Sequence, residues 1–235
     1  PSMMHFRGGR EAVDRKAYPD MEMFWADLTA AYRAEVEDLI AHGCTYIQFD
    51  DTNLAYLCDD NFRAAVARLG EDPNALPLKY CGVVNDVIRG LKNKATFTVH
   101  LCRGNARASG VAAGGVARGG YEPVAEVLFG KLDVDGYFLE YDDERSGDFQ
   151  PLRHVPAGKK VVLGMVSTKK REMESKDSLK RRLDEAARVL PMEQLCLSPQ
   201  CGFSSGVGRK ALNEDDERRK LALVVETATE VWGGL

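Results

Sequence analysis

The sequence has no apolar run near the roughly 20 residues that a membrane-spanning helix needs, so no membrane partner is expected of these 235 residues. It has no excess of positive charge either. Asp and Glu number 36 against 32 Lys and Arg, a net charge of −4, and no basic stripe is present to displace phosphate counterions. Nucleic acid is therefore not an expected partner. The six cysteines form no CxxC pair and follow no regular spacing. That argues against a disulfide framework and for a reduced, cytoplasmic protein. GxGxxG and GxxxxGK[ST] are both absent, so the glycine-rich stretch 103–120 reads as a loop or short helix over a site, not as a phosphate cradle. No repeat and no low-complexity linker interrupts the chain, and one domain over 1–235 is expected. The first residues, Pro1 and Ser2, include no initiator Met and no signal-peptide pattern, which leaves targeting unread.

What is present is an ordinary enzyme composition, 44% hydrophobic and 29% charged, with strands and helices in alternation. Phe24, Leu28, Ala31, Tyr32, Val36, Leu39 and Ile40 recur at helical spacing and predict a helix over 19–42. Strands are predicted over 45–49, 95–101, 136–140, 160–166 and 194–198. Further helices are predicted over 59–69, 78–91, 122–131, 176–190 and 214–232, with Pro73 and Pro77 between the second and third helices. Alternation of this kind signals a parallel α/β architecture. A closed barrel needs eight strands, so five predict the C-terminal part of a (β/α)8 barrel, lacking the first three strand–helix units. Two unpaired sheet edges follow, with apolar strands on both faces, and self-association into a homo-oligomer would cover them.

Three strand ends carry metal-ligand residue types: His100-Leu101-Cys102, Glu140 and Cys201. Residues i and i+2 of a strand share a face, so His100 and Cys102 aim at one point. Zinc takes such nitrogen and sulfur ligands in sets of four, which a carboxylate and a second thiolate would complete. Taken alone, His-x-Cys reads more readily as core filling, because cysteine is among the most buried residue types. Glu140 and Cys201, also placed where strands break into loops, shift that balance, since barrels carry their chemistry at that edge.

These segments, with the run Thr45-Tyr46-Ile47-Gln48-Phe49-Asp50-Asp51 and the stretches FLEYDDERSGDF at 138–149 and SPQCGF at 198–203, resemble the cobalamin-independent methionine synthase family. The likeness covers nearly the whole chain and is strongest to the short, single-barrel members. It implies a barrel of the methionine synthase and uroporphyrinogen decarboxylase-like type, although a metal-free decarboxylase would have no use for the ligand set. It implies zinc on His100, Cys102, Glu140 and Cys201, with Asp50 holding a substrate ammonium. The implied activity is zinc-dependent methyl transfer from a methylated folate to homocysteine, giving methionine, as in a 5-methyltetrahydropteroyltriglutamate–homocysteine S-methyltransferase. Transfer to or from another thiol, such as coenzyme M, and a non-catalytic remnant of the barrel are the alternatives. With three units missing, the chain is expected not to turn over alone.

The family often places a histidine that protonates the departing folate where this sequence has Lys169. A lysine could serve there if burial or the neighbouring Lys170 and Arg171 lowered its pKa; the same triplet could bind an anionic donor tail. Asp51 reads as a cap on the next helical turn through Thr52 and Asn53. The run Asp142-Asp143-Glu144 reads as solvated, with Arg145 available to pair with one member. Cys44, Cys58 and Cys81 are expected to pack, and His5, His42 and His154 to face solvent.

Overall fold

The structure, a computed structural model, describes residues 1–103, 117–203 and 212–234. The glycine-rich stretch read above as a covering loop lies, from 104 to 116, outside the described residues. The chain opens with a short helix, α1 (Met3–Gly8), followed by the long α2 (Met21–Ala41). Asp20 starts α2 by accepting the Glu22 N–H at 3.0 Å, the bond an N-cap side chain makes to an orphan amide. Strand β1 (Tyr46–Asp50) then leads into α3 (Asn53–Tyr56), α4 (Asp60–Arg68) and α5 (Leu76–Ile88). Asp51 caps α3 as expected, taking the N–H groups of Asn53 and Leu54 at 2.9 and 3.2 Å. Pro77 belongs to the first turn of α5 and not to the linker before it, because the missing N–H of a proline is no loss there.

Strand β2 (Thr96–Leu101), α6 (Glu122–Lys131), β3 (Gly136–Glu140), β4 (Lys160–Val166), α7 (Lys176–Ala187), β5 (Leu195–Pro199) and α8 (Glu214–Trp232) complete the order. The five strands pair in parallel, in sequence order from β1 to β5. Among the described residues β1 and β5 are therefore the two edges of the sheet. Ile47, Phe49, Phe97, Val99, Tyr137, Leu139, Val161, Leu163, Leu195 and Leu197 are buried and, by the two-residue period of a strand, share one face. The other face is not uniformly apolar, contrary to expectation. On β1 it carries Tyr46, Gln48 and Asp50, all exposed, and Thr98 of β2 donates to Tyr46 Oη at 2.8 Å. No helix among the described residues is long and apolar enough to cross a membrane.

One strand contact is unusually close. A Cβ on Gly164 would lie 2.8 Å from Gln200 Cα, 3.0 Å from Leu139 O and 3.1 Å from Pro199 O, all backbone atoms that cannot swing aside. The register between β4 and β5 is irregular between Gly164 and Val166, and Gln200 N–H reaches Val166 O at 2.8 Å. Gly164→Ala is expected to destabilise the fold by about 1–3 kcal/mol through this overlap. Denaturant unfolding measures it; an unchanged midpoint would mean that the turn after β5 gives way without cost.

His5 contradicts the expectation that it faces solvent. It is buried at 4% exposure, with Nδ1 3.1 Å from Tyr80 Oη and Nε2 3.2 Å from Glu71 Oε1, and its ring meets Trp25 edge-on at 4.8 Å. Burial holds its pKa below the usual histidine value against the pull of Glu71. Its charge-free form is thus favoured by folding, and this part of the stability is expected to fade as pH falls below 6.5 toward the lowered value. A His5→Gln chain should show a shallower loss of melting temperature between pH 7 and 5 than the unaltered chain.

Candidate metal centre

His100 and Cys102 stand at the end of β2, two residues apart. Glu140 is the last residue of β3, and Cys201 lies two residues beyond the end of β5. Parallel register aligns these ends: Asp50 pairs with His100, His100 with Phe138, and Glu140 with Gly164. The result brings one ligand atom from each of His100, Cys102, Glu140 and Cys201 within 4.8 Å of the others. The two sulfurs are 3.7 Å apart, and His100 Nε2 is 3.9 Å from Glu140 Oε1. Two thiolates each about 2.3 Å from a tetrahedral zinc would be separated by about 3.8 Å, so the sulfur spacing fits the ion.

Glu140 is fully buried and held on every side. Its Oε1 accepts the Arg103 N–H at 3.0 Å. Its Oε2 accepts from Gln200 Nε2 at 2.6 Å and from Arg145 Nη2 at 3.0 Å. Its own N–H donates to Tyr121 Oη at 2.9 Å, and the Tyr121 hydroxyl receives Arg103 Nε at 3.2 Å. The Arg103 guanidinium is buried over the Tyr121 ring, 4.2 Å from its centroid, and also donates to Gly119 O at 2.6 Å. None of these supporting roles was assigned from sequence. Gln200 and Arg103 adjoin the ligand motifs, and that adjacency is the one signal that could have flagged them.

The electrostatics favour a cation. Its hydrogen bond with Cys102, and the nearby His100 ring, hold the Cys201 thiol well below the usual range against the opposing effect of burial. Burial opposes charging of His100, but Cys201, Glu140 and Asp50 outweigh it and raise its pKa. Burial also raises Glu140, against the Arg103 N–H and Lys169. Among the described residues His100 Nε2 is buried without a hydrogen-bond partner, an expensive state for a polar atom unless something else is to be bound there. The donor set, the orphaned nitrogen and the sulfur spacing all fit zinc. By contrast, burial pushes the Cys58 and Cys81 thiols up to about 12, which agrees with their expected packing role.

Asp50 sits beside His100 across β1 and β2, exposed, with its pKa lifted by partial burial against the opposing influence of His100. Lys169 follows β4. Its ammonium pairs with Asp142 Oδ2 at 3.1 Å, while Arg171 turns to Asp216. Asp142 departs from the expected solvated acidic run. Its side chain is 1% exposed and takes Ser167 Oγ at 3.0 Å as well as Lys169. Its neighbour Asp143 does remain half exposed. A cavity of about 860 Å³ opens here, lined by Arg118, Asp142, Arg145, Ser167, Lys169 and Lys170 among others.

Comparison with known proteins gives this geometry a context. Residues 121–230 match the family described as "Cobalamin-independent synthase, Catalytic domain". The uncharacterised Bacillus subtilis protein YxjH is 40% identical over 233 residues, 99% of this chain and 60% of that protein. The methionine synthase of Pyrococcus abyssi is 26% identical over 186 residues, 79% of this chain and 45% of its own. A solved Listeria monocytogenes structure, described as a candidate vitamin-B12-independent methionine synthase, superposes with a TM-score of 0.76 at 34% identity. It covers 99% of this chain and 62% of that one. The chain thus spans about 60% of the length of YxjH and of the Bacillus subtilis protein YxjG, which is also 40% identical. A parallel five-stranded sheet, the catalytic-domain match over 121–230 and barrel-type neighbours converge on a chain similar to the cobalamin-independent methionine synthase family.

Proposed function

We propose that this chain carries the metal site of a zinc-dependent methyltransferase that moves a methyl group from a methylated folate to the sulfur of homocysteine, giving methionine. The observation that carries the reading is the convergence of His100, Cys102, Glu140 and Cys201 at three strand ends, with ligand atoms within 4.8 Å of one another. Zinc held by these four would supply the Lewis acidity that keeps an acceptor thiol deprotonated, and so nucleophilic, at neutral pH. Asp50 would hold the acceptor's ammonium beside His100. In net terms the sulfur–carbon bond forms as the donor's nitrogen–carbon bond breaks, and the thiol's proton ends on that nitrogen. Lys169 is assigned the delivery of that proton; its place beside the cavity lined by Ser167 and Lys170 supports the assignment.

Lys169, standing where the long synthases place a histidine, is also the observation behind a second reading, alkyl transfer to or from another thiol such as coenzyme M. The test is the fate of a labelled methyl group offered as methyltetrahydrofolate with homocysteine or with coenzyme M, using zinc-loaded protein. Labelled methionine is the expected product, from a chain long enough to supply the eight strands of a closed barrel. Label on coenzyme M alone would move the reading to the second thiol. Tight zinc binding without transfer to either thiol, in a chain of the relatives' full length, would leave a metal-stapled barrel without this activity.

A further inference from the structure

We propose that Arg145 is the positioning residue of the metal carboxylate: its guanidinium ties Glu140 to Asp142, occupying Oε2 so that Glu140 meets a metal through Oε1 alone. This role rests on the zinc reading of the site. Oε2 already takes two donors, Gln200 Nε2 at 2.6 Å and Arg145 Nη2 at 3.0 Å. A carboxylate oxygen offers about two lone-pair sites, so Oε2 is full. Among the described residues Oε1 takes only the Arg103 N–H, and it is Oε1 that faces His100 Nε2 at 3.9 Å. One acceptor position of Oε1 is left for a metal, on the oxygen that faces His100.

Arg145 can hold this arrangement because its own head is anchored. The same Nη2 reaches Asp142 Oδ1 at 3.3 Å, and Asp142 is fixed in turn by Ser167 Oγ at 3.0 Å and by Lys169 Nζ at 3.1 Å. Glu140, Asp142 and Arg145 are 0%, 1% and 9% exposed at their side chains, so water does not compete for these contacts. Opposite charges alternate along the line, carboxylate, guanidinium, carboxylate, ammonium, from the metal site to the cavity. A lysine at 145 would keep the charge but not the planar guanidinium, whose Nη2 meets Glu140 and Asp142 while its Nε lies 3.1 Å from Asp143 Oδ1.

The test compares zinc affinity, by competition with a chromophoric chelator, and the absorption spectrum of the cobalt(II)-loaded protein. The chains compared are the unaltered one, Arg145→Met, Arg145→Lys and Asp142→Asn. Arg145→Met is expected to weaken zinc roughly 10–100-fold, the range found when groups that orient metal ligands are removed, and to shift the cobalt ligand-field bands. Arg145→Lys should recover part of the loss, and Asp142→Asn should fall between. In a Glu140→Gln background the Arg145 change should add nothing, which a merely structural role would not predict. Unchanged affinity and spectrum in both Arg145 variants would overturn the proposal; should the methionine variant fail to fold, the lysine variant decides alone. Absence of metal binding by the unaltered chain is a distinct result, and would remove the zinc reading together with the role built on it.

Discussion

Cys201→Ser and Cys102→Ser chains are expected to lose zinc under conditions in which the unaltered chain retains one ion per molecule. The loss should exceed the roughly 10–100-fold that follows removal of an outer-shell group, because a thiolate contributes directly to the metal's coordination. A serine hydroxyl stays protonated at neutral pH, whereas the Cys201 thiol is held well below its usual range by Cys102 and His100. Elemental analysis after chelator treatment and reconstitution measures this. Zinc retained at the unaltered level by both serine variants would sink the ligand assignment. Affinity should also depend on pH with a definite sign. A metal needs His100 neutral, and the surrounding negative groups raise its pKa. Binding is therefore expected to weaken as pH falls through that raised value, starting above the ordinary histidine titration near 6.5.

Asp50→Asn is expected to weaken a thiol that carries an α-ammonium by about 2 kcal/mol, roughly 30-fold, and to leave a thiol without the ammonium almost unaffected. Losing one partner of a buried charge pair typically costs about 2–5 kcal/mol. The lower end applies because Asp50 is exposed in this chain and water screens it. Thiol titrations of the cobalt-loaded protein, with homocysteine against 3-mercaptopropionate, give the two affinities. Equal losses for both thiols would assign Asp50 to orienting His100, its register partner, and not to the substrate.

Much of this site was legible in the sequence because its logic is local. The two-residue strand period alone puts His100 and Cys102 on one face, and the abrupt change from Leu139 to the acidic loop marks Glu140 as a strand end. The strands of the structure begin and end within one residue of the predicted ones. What stayed hidden depends on partners distant in sequence. His5 looks isolated, yet Glu71 and Tyr80 meet it in the core. Asp142 looks solvated, yet Lys169 and Ser167 come to it from the loop after β4. Gln200 reaches Glu140 only because Gly164 lets the turn after β5 close on β4, a packing detail that no periodicity reports. The polar face of β1 was visible as Tyr46, Gln48 and Asp50 alternating with Ile47 and Phe49, but the general habit of apolar parallel strands obscured it.

The order of the strands along the chain has a kinetic consequence. The candidate metal ligands come from the ends of β2 and β3 and from beyond β5, so the cluster cannot be complete until β5 has docked on β4. Parallel neighbours are joined by long crossovers, and such non-local pairing forms slowly. Earlier strands can pair while Cys201 is still absent from the cluster. In a refolding experiment the thiolate-to-cobalt absorption band should consequently appear after helical circular dichroism has recovered, as a late clock for closure of the sheet.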